Sequence, residues 1–199
     1  MKLVHQMTRT ALWLSALLPF AAMAHTGADA GLHHGFAAGF LHPLTGADHL
    51  AAMLAVGLWT ALTARSRADL WVAPSAFALM MLLGALLGMA GVQLPAVESS
   101  IAVSLLVLGL LVMTRYRLPA PMAAMVVGLF ALFHGHAHGS ELADPSDAAF
   151  ALAGMLAASI LLHVSGIALG AGLRRAQPLW PRLAGLSVVL LSAVLIGIR

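Results

Sequence analysis

The chain has 199 residues, 61% of them hydrophobic and only 9% charged, and its mean hydropathy is +0.97. That balance excludes an ordinary soluble domain and leaves room for one membrane bundle. The isoelectric point near 10.6 invites a nucleic-acid reading, but no basic run is interleaved with aromatics or glycine, and nucleic acid is not an expected partner. The basic residues sit instead in pairs at the ends of apolar segments, the pattern of membrane topology. Cysteine is absent, so neither a disulfide framework nor thiolate metal ligation is available.

Residues 1–24 read as a secretory signal. Lys2 and Arg9 form a basic start, Thr10 to Phe20 a short apolar core, and Ala22-Met23-Ala24 a small-x-small cleavage pattern before His25. The competing reading, an uncleaved seventh helix, has an apolar run of only about 15 residues where about 20 are needed to span. The expected fold is therefore all-α: a polytopic membrane helix bundle of six spans, formed by residues 25–199. The spans are expected at about 35–64, 70–91, 98–114, 119–135, 147–171 and 182–198. Gly35-x-x-x-Gly39, Gly84-x-x-x-Gly88 and Gly166-x-x-x-Gly170 fit close helix packing.

Cleavage after Ala24 would put the new N-terminus outside a bacterial inner membrane, and the loops agree. Arg65 and Arg67, Arg115 and Arg117, and Arg174, Arg175 and Arg182 fall in the first, third and fifth loops, all expected on the cytoplasmic side. The mature N-terminus and the C-terminus are both expected in the periplasm. The two three-span halves would have opposite orientation, as in inverted-repeat transporters. The polar motifs do not occupy equivalent positions in them, so no repeat is claimed.

Ionisable side chains inside such spans cost several kcal/mol and mark a substrate or ion path. Two groups stand out. HPLTGADH at 42–49 lies in the outer half of the first span. On a regular helix of about 100° per residue His42 and His49 fall within roughly 20° of each other, whereas Asp48 lies about 100° away. Pro43 and Gly46 argue for a break at 43–46, which would swing Asp48 inward and free backbone carbonyls. Alternatively, Asp48 caps or orients His49 while His42 sits at the interface.

FHGHAHGSE at 133–141 lies at the outer end of the fourth span. As a helix it gives His134, His138 and Glu141 one face and sends His136 elsewhere; as an extended segment it would align His134, His136 and His138. Helical spacing is preferred because it includes the glutamate. A solvated histidine-rich loop that binds metal incidentally is the competing reading. Topology brings both groups to the same side of the membrane. Imidazole with carboxylate suits Ni, Co, Zn, Cu or Fe, whereas Mg and Ca prefer all-oxygen shells. The eleven methionines are scattered and read as filling of an apolar bundle.

Further candidates for metal contact are His33 and His34 before the first span, His25 through its own amine and imidazole, His136, Glu98 at the start of the third span, and His163 in the fifth. Each has a plain structural alternative: an interfacial position, a loop end, or for His163 a helix-to-helix hydrogen bond.

The His-Pro-x-x-Gly-x-Asp-His and Phe-His-Gly-x-Ala-His-Gly-x-Glu motifs, in this order within a six-span chain, resemble the HupE/UreJ family, nickel permeases associated with hydrogenase and urease assembly. The resemblance covers essentially the whole chain. It implies that His42, Asp48, His49, His134, His138 and Glu141 handle the metal, and that the cargo is Ni²⁺, with Co²⁺ the neighbouring choice. His136 falls on a variable position of the second motif. No permanently bound cofactor is expected. The expected partners are the lipid bilayer, a further copy of the chain, and indirectly the maturation proteins of a nickel enzyme. The expected function is import of Ni²⁺ by facilitated diffusion or secondary transport, since no G-x-x-x-x-G-K-[ST] phosphate loop is present. The rivals are an intramembrane zinc hydrolase, which lacks the H-E-x-x-H order, and a periplasmic metal-binding or sensing protein that does not transport.

Overall fold

A chain this apolar must satisfy its backbone within each segment once in lipid, and helices do so. The computed structural model describes residues 35–141, 148–175 and 177–197, and over these it contains seven helices and no strand. They are α1 (Phe36–Thr45), α2 (Ala47–Thr63), α3 (Arg67–Met89), α4 (Val97–Thr114), α5 (Ala120–Glu141), α6 (Ala148–Leu173) and α7 (Leu179–Gly197). The helices α3 to α7 are each long and apolar enough to cross a membrane, and α2 is a shorter apolar helix. The protein is a polytopic membrane helix bundle. The predicted signal segment, with His25, His33 and His34, lies outside the described residues.

The expected first span is two helices rather than one. Pro43 lies inside α1, and the break falls at Gly46, whose φ of −76° and ψ of 112° are extended. Gly46 serves both ends: its N–H donates to the His42 carbonyl at 3.1 Å, and its own carbonyl accepts from Leu50 N–H at 2.9 Å. Thr45 Oγ1 donates to the same His42 carbonyl at 3.0 Å, a second bond on that acceptor at the end of α1.

The other end of the bundle is set by capping. Ser66 and Asp69 form a reciprocal capping box at the start of α3, which is why this helix begins at Arg67 and not at 70. Asp69 Oδ2 also accepts from Arg117 Nη2 at 3.0 Å, tying the α2–α3 turn to the α4–α5 turn. Trp59 Nε1 donates to the Tyr116 carbonyl at 2.8 Å, so the arginine-bearing turns cluster around one buried indole. Ala52, Met53, Val56 and Trp59 of α2 pack with Phe77, Leu105 and Leu108 in the core. Leu79, Met125 and Phe150 point outward, as lipid-facing side chains do.

Helix pairing is dominated by three partnerships: α3 with α5, α4 with α7, and α6 with both α1 and α2. Counting α1–α2 as one span, this scheme maps onto itself when the first three spans are exchanged for the last three. Small residues make the pairs. A β-carbon on Gly84 would meet the Leu132 carbonyl of α5, and one on Gly166 the Leu54 carbonyl of α2. Gly35 differs from the expectation. It has φ of +94° with nothing near its would-be β-carbon, and it starts α1 as the N-cap instead of packing against a neighbour. The span holding α1–α2 and the span α5 are not among the strongly packed pairs, and the space between them is filled by histidines.

Candidate metal centre

α5 does not stop at 135 but runs as helix through the whole second motif to Glu141. The helical spacing is therefore the one realised, and His134, His138 and Glu141 form one stripe. Opposite them, the break at Gly46 sets His42 in the last turn of α1 and His49 in the first turn of α2.

His42 Nε2 lies 3.6 Å from Glu141 Oε2. One ligand atom from each of His42, His138 and Glu141 falls within 4.8 Å of the others. That is somewhat wider than the roughly 3.4 Å between donors about 2.1 Å from a tetrahedral ion, a gap that side-chain rotation closes. The cleft here measures about 40 Å³ and is lined by His42, His138, Glu141, Ala151 and Met155 among others.

From this group the imidazoles continue into the bundle in single file. Ring centroids are 4.6 Å apart for His42 and His138, 4.2 Å for His138 and His49, and 4.8 Å for His49 and His134. His49, His134 and His138 are buried.

The neighbours of two rings fix which nitrogen carries the proton. Asp48 Oδ1 is 2.7 Å from His49 Nδ1 and also accepts the His49 backbone N–H at 2.8 Å. A carboxylate only accepts, so Nδ1 carries the hydrogen and Nε2 presents a lone pair. Ser104 Oγ spends its one proton on the Ile101 carbonyl at 2.6 Å and so must accept from His134 Nε2, 2.9 Å away. His134 Nδ1 is then the lone-pair nitrogen. Neither His49 Nε2 nor His134 Nδ1 has a hydrogen-bond partner among the described residues. One ring nitrogen anchored by a carboxylate or hydroxyl and the other left bare is the second-layer arrangement of metal-ligating histidines.

The structure brings together His42, His49, His134, His138 and Glu141, with Asp48 attached through His49. Asp48 does not turn into the His42–His138–Glu141 group; it holds His49. His136 faces away from the file, its Nε2 donating to the Val92 carbonyl at 2.6 Å, which ties α5 to the α3–α4 turn. Glu98 is exposed in the first turn of α4 and is not part of the His42–His138–Glu141 group. His163 is buried farther in, its ring 5.0 Å from Phe77. Ser104 was not singled out in the sequence, although a polar residue between apolar neighbours in α4 was the available signal.

Charge also fits a divalent cation. Asp48 and Glu141 supply two negative charges, and the one ion pair of an arginine among the described residues, Arg117 with Asp69, lies at the opposite end. Two carboxylates and a doubly charged ion sum to zero, the condition that makes charge burial in a low dielectric tolerable.

Comparison with known proteins identifies the family. The chain matches the family described as HupE / UreJ protein over residues 12–195. It is 48% identical over 186 residues to Protein HupE of Rhizobium leguminosarum bv. viciae, covering 92% of this chain and 94% of that protein. No solved structure matches. With the match running through both histidine motifs and nearly the whole chain, the protein belongs to the HupE/UreJ family.

Proposed function

We propose that this protein imports Ni²⁺, with Co²⁺ as the close alternative, from the periplasm into the cytoplasm across a bacterial inner membrane. Membership of the HupE/UreJ family sets it among accessory transporters for nickel enzymes such as hydrogenase or urease, and not among enzymes. The observation that carries the reading is the file of imidazoles between two spans, with His49 and His134 each anchored at one nitrogen and bare at the other. The ion would exchange water for His42, His138 and Glu141 at the outer end, then pass to His49 and His134. Nitrogen donors with one or two carboxylates favour a borderline transition metal over Mg²⁺ or Ca²⁺. Transport would be facilitated diffusion or secondary transport, with residues 1–24 removed as a signal.

Radiometal uptake in a cell lacking its own nickel importer tests this. Glu141→Gln keeps the size and removes the charge and most of the ligating power, and uptake is expected to fall about tenfold or more. Wild-type uptake by this variant would sink the site.

A further inference from the structure

The file of imidazoles on α5 ends at His134, but donor atoms continue inward on a different helix. Met155, Ser159 and His163 of α6 repeat every four residues, a single stripe turned into the bundle. All three are buried, His163 to 2% exposure. Met155 lines the cleft of the outer site. Ser159 Oγ hydrogen-bonds the Met155 carbonyl at 2.8 Å and lies 3.4 Å from Met81 Sδ of α3. His163 Nε2 has no partner among the described residues. Phe77 stands between the two files, its ring centroid 5.8 Å from His134 and 5.0 Å from His163. Eight helical residues rise about 12 Å, enough to carry the stripe from the outer cleft toward the middle of a hydrocarbon layer about 30 Å thick.

We propose that Ser159 and His163, with Met81, form a second metal-binding station inward of the histidine–carboxylate site, built of neutral nitrogen, sulfur and oxygen donors, while Met155 belongs to the outer cleft. Its place on a transport path rests on the import reading; the binding itself does not. A structural role for His163 would be a hydrogen bond across helices, yet its buried Nε2 makes none among the described residues. A buried bare nitrogen is costly unless something comes to it. The donor set also has a chemical logic. Without a carboxylate the station holds a cation more weakly than the outer site, and conduction needs a site that an ion can leave. Imidazole and thioether donors reject the hard, strongly hydrated Mg²⁺ that would compete at any carboxylate-rich site. The two stations in series would select first by charge and then by softness.

The test titrates the purified full chain in detergent with Co²⁺, read by its visible absorption, and measures radiometal uptake in parallel. Wild type is expected to bind two equivalents. His163→Leu should bind one, with the tighter affinity unchanged, and should lose about tenfold or more of its uptake. Met81→Leu conserves volume and should weaken only the second equivalent, so it carries the same test should His163→Leu not fold. Glu141→Gln should show the complementary loss, of the tighter equivalent. One equivalent in wild type, or two in His163→Leu with wild-type uptake, overturns the station. A wild type that binds two equivalents and moves no metal refutes import and upholds the station.

Discussion

Asp48→Asn is expected to lower metal uptake by about 10- to 100-fold while leaving the bundle folded. The carboxylate does three things in one place. Its Oδ1 accepts the His49 backbone N–H at 2.8 Å, occupying one of the otherwise unpaired donors at the start of α2. It holds the His49 ring at 2.7 Å through Nδ1, so that Nε2 faces the file with its lone pair exposed. It also supplies one of the two negative charges that balance a divalent ion. Asparagine can keep the first of these. It holds the second only weakly, because a neutral amide is a poorer acceptor and can present its NH₂ instead, which selects the wrong tautomer of His49. It loses the third outright. The variant should therefore show near-normal thermal stability in detergent, a tenfold or greater loss of Co²⁺ affinity at the tighter site, and little uptake. Normal affinity with Asn at 48 would show that neither the tautomer nor the charge matters. A collapse of stability would show that Asp48 acts chiefly as a helix cap.

The different fates of Asp48 and His136 mark how far the sequence was legible. Apolar runs and breaker residues fixed the spans to within a few residues, because in lipid the period and length of a segment leave little choice. The break in the first span followed from Pro43 and Gly46 for the same reason. Helix phase separated His136 from His134 and His138, but the partner of His136, the Val92 carbonyl, is 44 residues away and no local rule points to it. The break at 43–46 was expected to swing Asp48 inward, but the helix that restarts after Gly46 holds Asp48 in its first turn, beside His49. The carboxylate thus meets the ring of its own neighbour instead of the cleft. Ser104 and His134 are joined across helices whose pairing the pattern of residues does not reveal. Gly-x-x-x-Gly spacing announces that a helix has a close neighbour, not which one. The end of α5 was placed too early because histidine and glycine lower the hydropathy there, although the backbone simply continues as helix under the cover of α3 and α4.

Gly135→Val is the substitution expected to cost most, for α3 and α5 touch backbone to backbone where the histidines are mounted. A β-carbon on Gly135 would collide with the Met81 carbonyl and one on Gly139 with the Ala85 carbonyl; from the other side, one on Gly88 would run against the His136 carbonyl. None of these obstacles is a side chain that can change rotamer. Each is a carbonyl already committed to its own helix, so the helices must part along two turns. Overpacking that side chains can absorb costs about 1–3 kcal/mol; this clash belongs with the exceptional losses of about 4 kcal/mol or more. His134 and His138 flank the seam, and parting the helices shifts both relative to His42 and His49 on the other span. The expected result is a fall of about 10 °C or more in the unfolding midpoint, with Co²⁺ binding and uptake both lost. Gly172→Ala provides the contrast within one experiment. It lies within α6 with nothing near its would-be β-carbon, so removing a flexible glycine there should be neutral or stabilise by up to about 1 kcal/mol. If Gly135→Val unfolds at the wild-type temperature and still binds metal, the α3–α5 seam does not set the spacing of the histidine file. The site must then be held from the α1–α2 side alone, by the turn at Gly46 and the grip of Asp48 on His49.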